Sequence, residues 1–234
     1  MLVIAHRGAS GYAPENTMAS FRLALEMGAK AIELDVHQTS DHQLVVIHDE
    51  DLRRVARRKV RVRDVTREEL SSIDVGSWFD SCFSCERAPS LADVFDLTAG
   101  KVELHVEIKK GSKLYPGIEE RLVDMIQSRG AWETTVISSF DHAALYSIRS
   151  LDARVRIGYL LGLTGMKTAY REIDQLRAES LNMSTRQANA RKMRECQARG
   201  LRTLVYTANT RKELARLARL GVDGVFTNFP ELTI

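Results

Sequence analysis

Cysteine is scarce in this 234-residue chain, which carries only Cys82, Cys85 and Cys196. An odd number of thiols in a chain of this length argues against a disulfide framework as the source of stability. Cys82 and Cys85 have Cys-x-x-Cys spacing, but no second pair completes a zinc site and no thioredoxin-like unit surrounds them. They read as two reduced thiols in a loop. Long apolar runs are missing too. No stretch of about 18 uncharged apolar residues occurs, which excludes a membrane-spanning helix. The opening residues Met1-Leu2-Val3-Ile4-Ala5 lack the basic region, longer apolar run and cleavage site of a secretory signal, so the expectation is a cytosolic protein. Neither sign of charge dominates. The net value of +3 identifies no partner and gives no reason to expect nucleic acid. No linker, low-complexity tract or internal repeat is seen.

What is present is a regular alternation. The apolar share of 44% is that of an ordinary soluble chain, and this length buries a full core without disulfides. Strand patterns occupy residues 2–6, 31–37, 101–109, 134–139, 155–160, 180–182, 203–207 and 224–227. Helical patterns between them include residues 16–27, 115–128, 142–150, 188–199 and 211–220. Alternating strands and helices predict a parallel sheet covered by helices. Eight strands in this length predict a (β/α)8 TIM barrel. The rival is an open doubly wound sheet, whose dinucleotide version is disfavoured because no Gly-x-Gly-x-x-Gly follows the first strand. Residues 38–90 break the rhythm and are too long for an ordinary strand–helix connection. They contain an extra strand at 44–47 and a capping box, Thr66-x-x-Glu69, opening a short helix. The chain is read as one barrel domain over 1–234, with this segment inserted after the second strand. The final strand leaves room for no more than a rudimentary eighth helix.

Two strands carry the chemistry. Alternation in 31–37 puts Glu33 and Asp35 on one face and Ile32, Leu34 and Val36 on the other. In 103–109 the polar Glu103, His105, Glu107 and Lys109 share a face opposite Leu104, Val106 and Ile108. The apolar faces pack against helices, so the polar faces point into the barrel. Buried carboxylates need cations or a metal, and strand ends are where barrel enzymes keep their sites. A structural ion pair explains one carboxylate better than three. Glu33, Asp35 and Glu107 therefore predict a hard divalent cation, Mg²⁺ or Ca²⁺. His6-Arg7-Gly8 ends the first strand and His48-Asp49 ends the extra one. Two strand-end histidines form a candidate acid–base pair, while Arg7 and Lys109 supply positive charge for a phosphate. A divalent metal, Arg7 and Lys109 together balance three carboxylates and one phosphodiester.

These residues resemble the glycerophosphodiester phosphodiesterase family. The matching segments are His6-Arg7-Gly8, Ala13-Pro14-Glu15-Asn16-Thr17, Ile32-Glu33-Leu34-Asp35-Val36, and His48-Asp49 with Leu52 and Arg54. Gly76-Ser77-Trp78-Phe79, Glu107-Ile108-Lys109, Ser138-Ser139-Phe140 and Gly221-Val222-Asp223-Gly224 continue the match in order along the chain. The resemblance implies a barrel with an insertion after the second strand and a divalent metal on Glu33, Asp35 and Glu107. It also implies catalytic His6 and His48, and phosphate contacts from Arg7 and Lys109. The implied substrate is a small glycerophosphodiester, with attack by its 2-hydroxyl through a cyclic phosphate or direct attack by water as routes. Phe140 is a candidate contact for the glycerol or leaving alcohol, with a core role as the alternative. Tyr206 stands where the family commonly has Trp and is placed with Phe140. Asn228 stands in place of a common Asp and His105 in place of a frequent Asn, departures that bear on the alcohol pocket. The basic run at residues 53–63 is heavier than the family pattern and reads as a solvated loop outside the chemistry, with attraction of an anionic ligand or surface as the alternative. Two alternatives are carried. A related phospholipase or lyase acting on intact lipid would want an exposed apolar rim, and no such stretch is seen; a non-catalytic barrel that binds phosphate compounds would have lost a histidine or a carboxylate. Asn16 is expected as a helix cap, Trp78 and Phe79 as insertion core, His37 as a support of the site, and His42 and His142 as solvent-facing.

Overall fold

The computed structural model describes residues 1–232. Its strands are β1 (Leu2–His6), β2 (Ala31–Gln38), β3 (Leu44–Val46), β4 (Glu103–Ile108), β5 (Thr135–Ser139), β6 (Arg156–Leu160), β7 (Ser180–Ser184), β8 (Arg202–Tyr206) and β9 (Gly224–Thr227). All except β3 pair in parallel, and β1 pairs with both β2 and β9, which closes an eight-stranded barrel. The helices are α1 (Met18–Glu26), α2 (Arg53–Ala56), α3 (Arg67–Ser71), α4 (Leu91–Thr98), α5 (Ile118–Ser128), α6 (His142–Leu151), α7 (Met166–Leu176), α8 (Ala190–Ala198) and α9 (Arg211–Arg219). Among the described residues no helix follows β9, and none is long and apolar enough to cross a membrane.

Period-two alternation builds the barrel wall as expected. The outward residues Ile32, Leu34, Val36, Leu104, Val106 and Ile108 join one apolar cluster with residues of the surrounding helices. Each such side chain contributes roughly 1.5–3 kcal/mol when fully buried. β2 and β4 lie in register with Glu33 opposite His105 and Asp35 opposite Glu107. The acids are thus brought onto adjacent inward positions by backbone pairing. Ile4, Ala31, Leu204 and Phe226 form a small apolar plug inside the barrel.

The start of α1 differs from expectation. Thr17, not Asn16, is the N-cap: its hydroxyl accepts from Ser20 N, and the Ser20 hydroxyl reciprocates. Asn16 takes a left-handed conformation (φ 57°), which Asn tolerates better than most residues, and its amide is left free for another task. Gly8 lets this turn close on the helix. A Cβ there would lie 2.5 Å from Ser20 Oγ and 2.6 Å from its carbonyl carbon.

The segment between β2 and α4 has a core of its own. Val45, Ile47, Leu52, Val55, Val62, Leu70, Ile73, Val75 and Ala88 cluster together, and β3 fixes the segment to the barrel by pairing antiparallel with β2. The basic run is more ordered than a solvated loop. It begins as the one-turn α2 and returns through Leu52 N to Val60 O and Val62 N to Glu50 O hydrogen bonds. Trp78 and Phe79 are 36% and 37% exposed rather than core. Asp74 accepts from Gly76 N and Ser77 N, so the intervening turn presents the two rings outward. Cys82 and Cys85 are exposed and free, as expected.

At the opposite end of the barrel Arg156 reaches Glu103 (2.7 Å) and Glu179 (2.8 Å), and His105 donates to Glu103 at 2.8 Å. Burial raises the Glu103 pKa, but the His105 and Arg156 contacts outweigh it and hold Glu103 at about 2. A depressed carboxylate stabilises the fold above its unfolded pKa, and that contribution is lost as pH falls through the folded value. Arg156→Gln should therefore cost about 1–3 kcal/mol near neutrality, measured by urea unfolding. The difference from wild type should shrink as pH falls from about 4.5 towards 2. A pH-independent loss would assign Arg156 a packing role instead.

Candidate active site

Three carboxylates from two neighbouring strands converge at the C-terminal mouth of the barrel. Glu33, Asp35 and Glu107 each offer an oxygen within 4.8 Å of the others. Asp35 has no exposed surface. Arg7 Nε lies 3.1 Å from Asp35 Oδ2, and Lys109 Nζ lies 3.3 Å from Asp35 Oδ1 and 2.7 Å from Glu107 Oε1. Arg7 adopts a left-handed backbone (φ 56°), from which its own N–H donates to Glu33 Oε2 at 2.9 Å. Asn16 clamps Asp35 twice, its amide donating to Oδ2 (2.8 Å) and its carbonyl oxygen accepting from the Asp35 N–H (3.3 Å).

The three acids are electrically unequal. Burial alone would raise Asp35, but Arg7 and Lys109 override it and hold the carboxyl well below the usual range. Burial and the resulting Asp35 charge push Glu107 up to about 7 and Glu33 well above its ordinary value. The two cations cannot neutralise all three groups. Asp35 Oδ1 is buried, with Lys109 Nζ at 3.3 Å as its ion-pair partner. Three converging carboxylates whose negative charge exceeds what the two cations neutralise form an all-oxygen set that fits a hard divalent cation. Glu33, Asp35 and Glu107 are the groups that can hold it.

Two histidines flank the carboxylates, each oriented by a different kind of partner. His6 Nδ1 donates to Asn228 Oδ1 at 2.8 Å, leaving Nε2 unprotonated and 3.9 Å from Glu33. Burial, followed by the Arg7 charge, lowers His6 to about 4. His48 Nδ1 donates to the Asp49 carboxylate at 2.6 Å. Burial lowers His48 as well, while Asp35 and Asp49 work against the shift. Asp49 is itself held by Arg54 Nε (2.7 Å), and Arg54 Nη2 reaches Glu15 Oε1 (2.6 Å), which also accepts from Arg7 Nη1 (3.0 Å). One glutamate oxygen thereby links the arginine beside the carboxylates to the insertion that carries His48. His37 is buried under this insertion: its Nε2–H donates to the His48 carbonyl (3.0 Å), and Nδ1 faces the Tyr115 hydroxyl (2.7 Å). That matches its expected supporting place.

All nine residues singled out from the sequence meet at this mouth. His6, Arg7, Glu33, His48, Glu107, Lys109, Phe140 and Tyr206 line one cavity of about 160 Å³, and Asp35 lies with its two acidic neighbours. A second cavity of about 500 Å³ shares His48, Glu107, Lys109 and Phe140 with it. Phe140 is 46% exposed and meets Tyr206 edge to face at 6.2 Å, so it is a wall residue and not core. Asn228 and His105 each contact a residue that lines the smaller cavity. Asn228 touches His6, while His105 is buried below against Phe226. His42 is exposed as expected, but His142 is half-buried and donates to the Leu160 carbonyl at 2.9 Å. Sequence reasoning assigned no site role to Glu15, Asn16, Asp49 or Arg54, although all four lie in the segments that match the family.

The model of the "Glycerophosphoryl diester phosphodiesterase family" matches residues 6–232. The chain belongs to that family. A glycerophosphodiester phosphodiesterase of Caldanaerobacter subterraneus subsp. tengcongensis is 39% identical over 234 residues, covering 100% of this chain and 96% of the relative. The structure of an Oleispira antarctica phosphodiesterase in complex with the product sn-glycerol-3-phosphate is similar at TM-score 0.92 and 27% identity, covering 99% of this chain and 94% of the other. A glycerophosphodiester phosphodiesterase from Agrobacterium tumefaciens matches at TM-score 0.86 and 26% identity, covering 99% and 97%. The enzyme is thus a phosphoric diester hydrolase on a TIM barrel. Within it, Asn16 is the residue whose contribution separates orientation from charge. Asn16→Ala removes both bonds to Asp35 while leaving every ionisable group in place. Turnover is expected to drop by about 10–100-fold, as when groups orienting ligands are removed, measured well below the melting temperature of the variant, which should fall because Ala is strained at a positive φ. An unaltered rate would reduce Asn16 to a turn residue.

Proposed function

We propose that the enzyme hydrolyses small glycerophosphodiesters, such as glycerophosphocholine or glycerophosphoethanolamine, to sn-glycerol 3-phosphate and an alcohol, with Mg²⁺ or Ca²⁺ on Glu33, Asp35 and Glu107. We read the chain as one catalytic barrel with an insertion at about 38–90, acting in the cytosol. The observation that carries this reading is the carboxylate cluster, set between Arg7 and Lys109 and flanked by two histidines with free Nε2 atoms. A bound divalent cation would supply Lewis-acid stabilisation of charge on the phosphoryl oxygens. Arg7 offers a planar fork to the same oxygens, and Lys109 a point charge.

The unlike partners of the histidines support the roles His6 as base and His48 as acid. Asn228 is neutral and favours an imidazolium only as a hydrogen-bond acceptor, while burial and the Arg7 charge outweigh it and keep His6 unprotonated and able to accept a proton. Asp49 favours the protonated form of His48, and a bound phosphodiester anion adds to that preference. In the route we favour, the glycerol 2-hydroxyl attacks phosphorus as His6 takes its proton. The bond to the alcohol breaks as His48 protonates the departing oxygen, and water then opens the cyclic phosphate. Holding the attacking hydroxyl next to phosphorus can supply roughly 7–11 kcal/mol. Phe140 and Tyr206 would pack against the carbon skeleton.

Activity on glycerophosphocholine should vanish with a chelator and return with Mg²⁺ or Ca²⁺; full activity in metal-free enzyme would defeat the cation reading. Arg7→Lys should slow turnover on the order of tenfold or more, since a bidentate transition-state donor becomes a point charge. An unchanged rate would make Arg7 structural. A diester whose glycerol 2-hydroxyl is replaced by hydrogen should bind and hardly turn over. Hydrolysis near the rate of glycerophosphocholine would overturn the cyclic route and leave the cation site untouched.

A further inference from the structure

Exposed large apolar side chains are unevenly distributed. Among the described residues there are eight, and five of them, Tyr12, Trp78, Phe79, Phe140 and Leu163, follow barrel strands. Parallel strands all point the same way, so these segments share the end of the barrel at which the active site opens. Tyr12 follows β1 and Leu163 follows β6, strands on opposite sides of the closed ring. Leu163 is fully exposed. Trp78 and Phe79 meet edge to face at 5.8 Å. Their turn is held at this end through Glu86, which accepts from Ala19 N at the start of α1 (3.2 Å). The rim is assembled from four separate segments, which is why no apolar stretch marks it in the sequence.

Positive charge lies beside this rim. Arg57, Arg58, Lys59 and Arg61 are exposed at the tip of the basic hairpin, and Lys110 and Lys113 are exposed after β4. None of the six enters an ion pair among the described residues. The guanidinium of Arg54, on the same hairpin, lies 5.5 Å from the Trp78 ring centre, which makes the cations and aromatics neighbours. Aromatic and aliphatic anchors interleaved with unpaired cations match the boundary of an anionic bilayer, where rings sit at headgroup depth and cations meet lipid phosphates. We propose that the mouth of the barrel docks on an anionic lipid surface. A protein partner is less suited, because the anchors surround an open mouth on separate loops and form no groove. The proposal does not depend on which alcohol the enzyme releases.

Vesicle flotation tests it, using phosphatidylcholine alone or with about one quarter phosphatidylglycerol. Wild type should float with the anionic vesicles and remain in solution with the neutral ones. Each cation near such a surface is worth about fivefold in affinity, so R57Q/R58Q/K59Q should bind on the order of a hundredfold more weakly. W78S/F79S/L163S should lose the part of binding that survives added salt. K30Q/R177Q/R219Q removes the same charge from exposed positions at the opposite end and should bind like wild type. Unchanged melting temperatures separate each result from misfolding. Equal flotation with both vesicle types, no flotation, undiminished binding by either rim variant, or an equal loss in the opposite-end variant would each overturn the proposal.

Discussion

Asp35 sits without solvent contact between Arg7 at 3.1 Å and Lys109 at 3.3 Å. An unpaired carboxylate at that depth would take up a proton rather than stay charged. The two cations keep it ionised, and the consequences spread outward. Its charge raises Glu33 and Glu107. Its position fixes Arg7 in a strained backbone, whose N–H is then given to Glu33. Three carboxylates against two cations leave the cluster short of positive charge. Such a cluster weakens the fold in isolation and is repaid by whatever cation or anion it gathers.

The barrel supplies only part of the machinery. β1, β2 and β4 contribute His6, Arg7 and the acids, and Lys109 directly follows β4; His48 arrives on a segment that folds around separate apolar contacts. What fixes it in place is a chain of short polar contacts, Arg7 to Glu15 to Arg54 to Asp49. His37 adds a second hold from below. On the role proposed for His48, these contacts make the insertion a working part of the site.

The alternation in 31–37 and 103–109 made the inward faces legible, because a strand's side-chain period is fixed by its backbone. The same rule made the apolar wall legible through Leu34 and Val106. Partners across the structure were harder to read. Arg54 is one of seven basic residues in a short run, and only tertiary placement shows that it differs from Arg57 or Arg58. Asn16 looks like a cap by residue type, yet Thr17 takes that role and Asn16 turns to Asp35. Trp78 and Phe79 have core composition, but the Asp74 turn points them outward. For Arg54 and Asn16 the deciding contact joins residues far apart in the chain, and for Trp78 and Phe79 it is a turn closed by the Asp74 carboxylate; residue-type propensity encodes neither.

The insertion's apolar cluster is separate from the main cluster of the barrel, and this bears on how the catalyst would fail. Regions of one protein open locally at different free energies, some well below that of global unfolding. The nine buried residues around Val45, Leu52 and Leu70 form a unit smaller than the main cluster, and His48 rides on it. On the role proposed for His48, opening of this unit alone would take that histidine out of the site while the eight strands still held His6, Arg7 and the acids together.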